Sequence, residues 1–489
     1  MTASTTSSPA PAAAAGPRAP TRRNAELALL LFAMGVVTVY AAAVEYGVNH
    51  HLGRFWLLPL LLTLVFLAMH LAVRFLAPYA DPAIVPAVAL LNGLGVVFLR
   101  RIDLDPKMPD LDYHPNLVDF GGIAFKQLIW TVAAVIVATV ALVVVRDHRT
   151  LSRYAYTLGF TGLVLMMIPA ILPASLSEVN GAKLWIRFGG FFQIQPGEFA
   201  KILVLSFFAY YLVRKREVLS LASRRVLGVD FPRGRDLGPV LMVWGVSLLV
   251  LVFEKDLGTS LLYFGMFVVT LYIATERVSW LIIGLLLFFG GAFAAYLLGA
   301  AVGGPFANFY GRVGVWLHPF DDPNRSGYQL VQSLLGLGTG GIFGSGPGMG
   351  HPDKVPAVYN DFIFAGLGEE IGLFGLTALL MVYLVIAERG LRAAIAVRDS
   401  FGKLMAGGLA FTLGLQVFVI VGGVTKLIPL TGQTTPFLSA GGSSLMANWL
   451  LVAMLLRISD ASRRPATSGT PGGKAQPVKL AGLATEVMR

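Results

Sequence analysis

Three carboxylates, Asp361, Glu369 and Glu370, sit at the start of an apolar run that reads Asn360-Asp361-Phe-Ile-Phe-Ala-Gly-Leu-Gly-Glu369-Glu370-Ile-Gly. A charged side chain at a bilayer centre costs roughly 2.5–3.5 kcal/mol on insertion scales, so acids in such a setting are functional candidates by default. Helix capping accounts for Asp361, because carboxylates are favoured in a first turn. It accounts poorly for Glu369 and Glu370, which eight or nine residues at about 1.5 Å each place roughly 12–13 Å deeper.

Four other polar segments accompany them. Asn180-Gly-Ala-Lys183-Leu-Trp185-Ile-Arg187 leads into Gln195-Pro196-Gly-Glu198-Phe-Ala-Lys201. Pro196 suits a first helical turn, and the three-residue spacing puts Glu198 and Lys201 on one helix face. An interfacial Trp with a local ion pair is one reading; an anion site for a lipid diphosphate, built from Lys183, Arg187 and Lys201, is the other. Glu254-Lys255-Asp256-Leu-Gly258-Thr259 marks a tight turn between two apolar runs. The stretch from 300 to 360 carries 13 glycines and reads as a mobile lid with short re-entrant pieces. Its string Gly336-Leu-Gly338-Thr-Gly340-Gly341 follows no strand, which excludes a dinucleotide-binding unit. Finally, Lys426 to Ser444 breaks helical structure with Pro and paired Gly, and its Ser439, Ser443 and Ser444 offer hydroxyl donors.

The elements that must position these residues are membrane helices. The chain has 489 residues, 56% hydrophobic and 13% charged, an all-α polytopic composition that excludes a set of soluble domains. Twelve apolar stretches approach the length of about 20 residues needed to span a bilayer. They lie near 25–44, 55–76, 83–99, 125–145, 154–173, 197–213, 237–254, 257–274, 279–299, 361–387, 405–427 and 441–457. The loop Arg214–Asp236 holds seven Lys and Arg residues, whereas Asp103, Asp105, Asp110 and Asp112 offset the basic residues on the other side. That bias sets both termini in the cytoplasm and all five polar segments outside, with the long 300–360 connection between helices 9 and 10 extracellular. The net charge of +11 therefore reports membrane orientation, not nucleic acid. Cysteine is absent, and the seven histidines lack paired metal-ligand spacing.

Residues 1–24 read as a disordered cytoplasmic N-terminus, 25–457 as one transmembrane domain, and 458–489 as a disordered basic tail. Arg22-Arg23 before the first apolar run resembles a signal peptide, but the run exceeds the usual core of about 7–15 residues.

In this order and on one predicted face, the motifs resemble the SEDS family of RodA, FtsW and sporulation relatives. They are N-G-A-x-x-W at 180–185, Q-P-x-E-F-A-K at 195–201, D-L-G-T at 256–259, D-F-I-F-A at 361–365 with E-E-I-G at 369–372, and P-F-x-S-x-G-G-S-S at 436–444. Gly197, Lys255 and Ala440 depart from the family pattern without touching the mapped acids. Two extra N-terminal helices, within 25–76 or 25–99, resemble elongation-type members from high-GC Gram-positive bacteria.

The resemblance implies a peptidoglycan glycosyltransferase in the bacterial plasma membrane. It would polymerise lipid II into glycan strands for elongation and cell shape, with a class B penicillin-binding protein as partner. Asp361 maps onto the catalytic carboxylate, with Glu198 and Lys201 beside it. Lys201 would keep Asp361 ionised, and Lys126, Lys183 and Arg187 would bind diphosphate. Trp185, Asp256, Glu369, Glu370, Ser439, Ser443 and Ser444 would line the substrate path. Magnesium or manganese is left open, with no metal site identified. A lipid II flippase, an FtsW-type division polymerase and a non-catalytic scaffold are the rival readings.

Overall fold

The computed structural model describes residues 21–465, apart from 109–113, 115, 117–118, 120, 180–181, 189–191, 221, 227–228, 233–237, 239–240, 244, 247–248 and 250–255. The disordered tails expected at 1–24 and 458–489 fall mostly outside that set. Residues 458–463, though, extend the last helix, because Ile458, Ser459 and Asp460 are buried.

Apolar runs of spanning length become helices because every backbone polar group must be satisfied within the segment where no water is available. Eleven of the twelve expected helices are described. The first five are α1 (Arg23–Asn49), α2 (Leu57–Leu76), α3 (Ile84–Asp103), α4 (Ile123–Val144) and α5 (Ala155–Ile171). Next come α6 (Pro196–Ser220), α7 (Leu257–Thr275) and α8 (Val278–Ala301). Two shorter helices, α9 (Ala307–Leu317) and α10 (Tyr328–Gly340), lie in the long connection. The chain then closes with α11 (Ile363–Ala396), α12 (Ser400–Val424) and α13 (Gly442–Arg463). Ten of these are long and apolar enough to cross a membrane, and α5 is a shorter apolar helix of 17 residues. The stretch expected at 237–254 lies largely outside the described residues.

Burial separates core from periphery. Helices α3 and α13 bury 83% of their central windows, against 17% for α8, which therefore faces lipid along most of its surface. Helix α13 packs on α4, α11, α6 and α12, with Trp449 stacked on Phe66 of α2 at 6.0 Å. At the end remote from Asp361, Glu26 bonds Arg23 and His70, while Asp81 pairs with Arg463. Buried acids at that end are thus each matched to a base.

Two departures from the sequence reading concern the acid-bearing half. Helix α11 is broken at Gly372, whose φ of 65° only glycine adopts readily. Beside the break, residues 341–346 run back along α11, so that Gly341 and Ile342 carbonyls accept from Leu373 and Phe374 at 2.9 and 3.0 Å. The long connection thus carries two short helices and is bonded to α11 through residues 341–346. Short antiparallel pairs also interrupt the all-helical plan: β1 (Glu178–Val179) with β2 (Ala182–Lys183), and β3 (Ile186–Phe188) with β4 (Phe192–Ile194). A further pair, β5 (Ala222–Val226) with β6 (Val229–Pro232), sits in the basic loop.

Candidate active site

The irregular stretch 425–441 holds the polar segments together. Its prolines and its glycine at 432 (φ 70°) keep it from forming a helix, so its amides and carbonyls are free to bond side chains from other elements. Helix α3 approaches it closely: a Cβ on Gly95 would lie 2.4 Å from the Leu438 carbonyl oxygen.

Asp361 sits just before α11, half-buried. Its flanking backbone is fixed by this stretch: Ser439 Oγ donates to the Asn360 carbonyl, and Ala440 N–H donates to the Tyr359 carbonyl at 2.8 Å. Burial pushes the Asp361 carboxyl up to about 6, against its own amide and the charge of Arg312. Lys201 was expected to hold Asp361 ionised. Instead Lys201 Nζ donates to Glu198 Oε2 at 2.7 Å, Gln416 Oε1 at 3.0 Å and Asn448 Oδ1 at 3.3 Å, and among the described residues the cation acting on Asp361 is Arg312. Lys201 thereby ties α6 to α12 and α13 in a buried knot.

Asp256 caps α7, accepting from the Thr259 amide at 3.2 Å and from its hydroxyl. Gln433 Nε2 reaches from the stretch to Asp256 Oδ2 at 3.1 Å. Burial raises the Asp256 carboxyl, with the Thr259 bonds and then Arg312 opposing. Gln433 and Thr259 share with Glu198 and Lys201 the lining of a cavity of about 10 Å³, room for about one water. Arg312, on α9, donates from Nη1 to the Leu430 carbonyl at 2.9 Å, and Trp316 Nε1 donates to the Lys426 carbonyl at 3.0 Å. The short helix α9 is thus docked on the stretch, and its single arginine acts electrostatically on both Asp256 and Asp361.

The remaining expected residues spread around this centre. Ser443 Oγ accepts from the Gln195 amide at 3.0 Å, joining the start of α6 to α13, and Ser444 Oγ accepts from Asn448 Nδ2 at 3.2 Å. Lys126 Nζ donates locally to the Gly121 carbonyl at 2.8 Å. Its neighbour Gln127 makes the long-range contacts instead, to the Ser439 carbonyl at 3.0 Å and the Gly441 amide at 3.2 Å. Trp185, Lys183 and Arg187 lie half-buried in and beside the short strand pairs. Asn180, Glu254 and Lys255 fall outside the described residues.

Glu369 and Glu370 belong to a separate place. Glu370 Oε1 accepts from Arg101 Nε at 3.0 Å, and Arg101 also bonds the Gly350 carbonyl and Asp105. Their carbonyls accept from Ser345 and Gly346, at the seam where 341–346 meets α11.

Sequence reasoning passed over Arg312, Gln433, Gln416 and Asn448. The one available signal for Arg312 was a lone cation in an otherwise apolar, amphipathic eleven-residue helix. Among the described residues no three His, Asp or Glu side chains converge, so they supply no cage of their own for magnesium or manganese.

A family model described as cell cycle protein, covering FtsW, RodA and SpoVE, matches residues 82–464. The chain is 50% identical over 475 residues to the peptidoglycan glycosyltransferase RodA of Mycobacterium tuberculosis, spanning 96% of this chain and 97% of that one. It is likewise 50% identical over 454 residues to the protein of that name in Mycobacterium leprae, spanning 92% and 93%. To stage V sporulation protein E of Bacillus subtilis it is 35% identical over 317 residues, spanning 64% and 80%. A solved structure on the coordination of polymerization and crosslinking by a peptidoglycan synthase complex aligns with a TM-score of 0.57 and 26% identity. That alignment spans 78% of this chain and 98% of that one.

Proposed function

This chain belongs to the FtsW, RodA and SpoVE family of cell cycle proteins, and we propose that Asp361 is the general base of its glycosyl transfer. The enzyme is a multi-pass membrane peptidoglycan glycosyltransferase of the RodA type, acting on lipid II. The observation that carries the assignment of the base is the carboxyl at 361: half-buried, at the mouth of α11, poised at about 6. A base works best with a pKa near the operating pH, and one of this kind contributes typically about 10²–10⁴-fold.

Lipid II presents an anomeric carbon that already carries a diphosphate leaving group. Asp361 takes the proton from the 4-hydroxyl of the acceptor sugar, whose oxygen attacks the anomeric carbon with inversion as the diphosphate departs. Arg312 is the cation placed to meet charge near Asp361, and Arg187 and Lys183 extend the basic lining. Glu198 and Lys201 position the wall: their buried pair locks α6 to α12 and α13. The site opens to the outer leaflet, following the charge bias of the loops. A class B penicillin-binding protein works beside it to cross-link the strands, a pairing supported by the likeness to a peptidoglycan synthase complex.

Purified Asp361→Ala in detergent should polymerise lipid II about 10²–10⁴-fold more slowly than wild-type protein. Equal polymerisation by the two would remove Asp361 as the base. Failure of the wild type to polymerise in detergent, with lipid II crossing vesicle membranes instead, would turn the reading to a flippase.

A further inference from the structure

The N-terminal helices α1 and α2 lie before the family match, which begins at residue 82. Where they meet α3 they enclose a cavity of about 560 Å³, within the range of about 300–1,000 Å³ typical of small-ligand sites. Ala41, Val44, Leu57, Leu58 and Val97 supply apolar wall, while Arg54, Arg100, Glu45 and Asn116 supply polar groups. Without α1 and α2 most of this lining would be missing, so the cavity is a property of the extended chain.

Its depth in the membrane follows from the elements around it. Helix α1 ends at Asn49, α2 begins at Leu57 and α3 ends at Asp103, so Arg54 and Arg100 stand at helix ends, where lipid headgroups lie. Trp56, 51% exposed beside Arg54, is the amphipathic residue type that settles at that level. Arg54 and Arg100 bring two guanidiniums to the lining, Arg100 also donating from Nη1 to the His114 carbonyl at 2.7 Å, and Glu45 reduces the cavity's formal charge to +1; guanidiniums recognise phosphate by charge-assisted bonds. That charge balances a monoanionic phosphodiester and underbalances a diphosphate. Glu45 and Asn116 can also accept bonds from headgroup hydroxyls. Leu60, Leu64, Leu71 and Phe75 continue α2 as an exposed apolar stripe of the kind acyl chains cover.

We infer that the cavity between α1, α2 and α3 binds the headgroup of a monoanionic glycerophospholipid, through Arg54 and Arg100. The lipid would sit against a face that also holds the active half in place. A Cβ on Gly47 of α1 would lie 2.3 Å from the Pro347 carbonyl, and Pro347 follows the segment that pairs with α11. The inference does not depend on the role given to Asp361.

The test is native mass spectrometry of the full-length protein in detergent, titrated with dioleoyl phosphatidylglycerol, with dioleoyl phosphatidylcholine and undecaprenyl diphosphate as separate arms. The first phosphatidylglycerol should bind wild type at lower concentration than phosphatidylcholine does. Arg54→Gln should raise the concentration needed by roughly tenfold, the loss of one charge-assisted contact. Glu45→Gln should lower it, a shift that loss of packing would not produce. Arg54 is exposed, so its replacement leaves the fold intact. Unchanged binding in both variants would overturn the inference, and so would displacement of phosphatidylglycerol by undecaprenyl diphosphate at equal concentration.

Discussion

Asp361 and Glu370 stand at the same end of one helix, nine residues apart, and the fold treats them differently. Glu370 is fully buried and held by Arg101, which also grips Asp105 and the Gly350 carbonyl. Asp361 keeps partial access to water, and among the described residues the cation that acts on it through space is Arg312. A buried acid with a bonded base is a structural joint, costly to break and of little use for taking a proton. An acid raised toward neutrality with an open side is suited to proton transfer. Residue type in an apolar run is therefore a poor guide to role; the partner decides.

The largest effect that could break this contrast is on rate. Asp361→Ala should lower lipid II polymerisation about 10²–10⁴-fold with no loss of melting temperature. Next comes stability at the other acid. Arg101→Met leaves Glu370 buried without its base and should cost roughly 3–5 kcal/mol, seen as a lower melting temperature in detergent. The double variant Arg101→Met with Glu370→Leu should recover most of that loss. If Arg101→Met instead abolishes turnover without affecting melting, the two acids share one role and the contrast fails.

Smaller effects sharpen it. Polymerisation should fall about tenfold per pH unit below about 6, because the base must be ionised and its carboxyl titrates there. Arg312→Gln removes the charge that favours the ionised form, so the same limb should move to higher pH. Gly372→Ala forces a side chain into a left-handed backbone beside Gly344 N, at 2.3 Å, and should cost roughly 1–3 kcal/mol at the kink. The smallest expected change is in the stability of Asp361→Asn. The native carboxyl is raised from 3.8 to about 6, so the folded state holds a proton that the unfolded chain has released across that window. Stability of the wild type should fall as pH rises from 3.8 to about 6, and Asp361→Asn should not show that fall.

The helices themselves were legible in the sequence, since a bilayer allows few alternatives for a run of twenty apolar residues. The boundaries of α2 and α4 fall within about two residues of those expected, α3 runs about four residues further at its end, and Pro196 opens α6 as its fixed φ predicts. The Glu198–Lys201 pair was also readable, because three-residue spacing fixes neighbours on a helix. Gln127 in place of Lys126 was not. Adjacent helical residues point about 100° apart, and only the neighbour helix tells which of them faces inward.

Sequence alone determined what kind of molecule this is: a mainly helical membrane protein whose order of polar motifs places it in one enzyme family. Those properties are local, set by hydropathy over twenty residues and by motifs a few residues long. Tertiary structure alone decided which base answers which acid. Lys201 turned to Gln416 and Asn448, Arg101 to Glu370, and Arg312 to Asp256 and Asp361, across separations of up to 269 residues. Charge interactions depend on distance and burial, and neither is written along the chain.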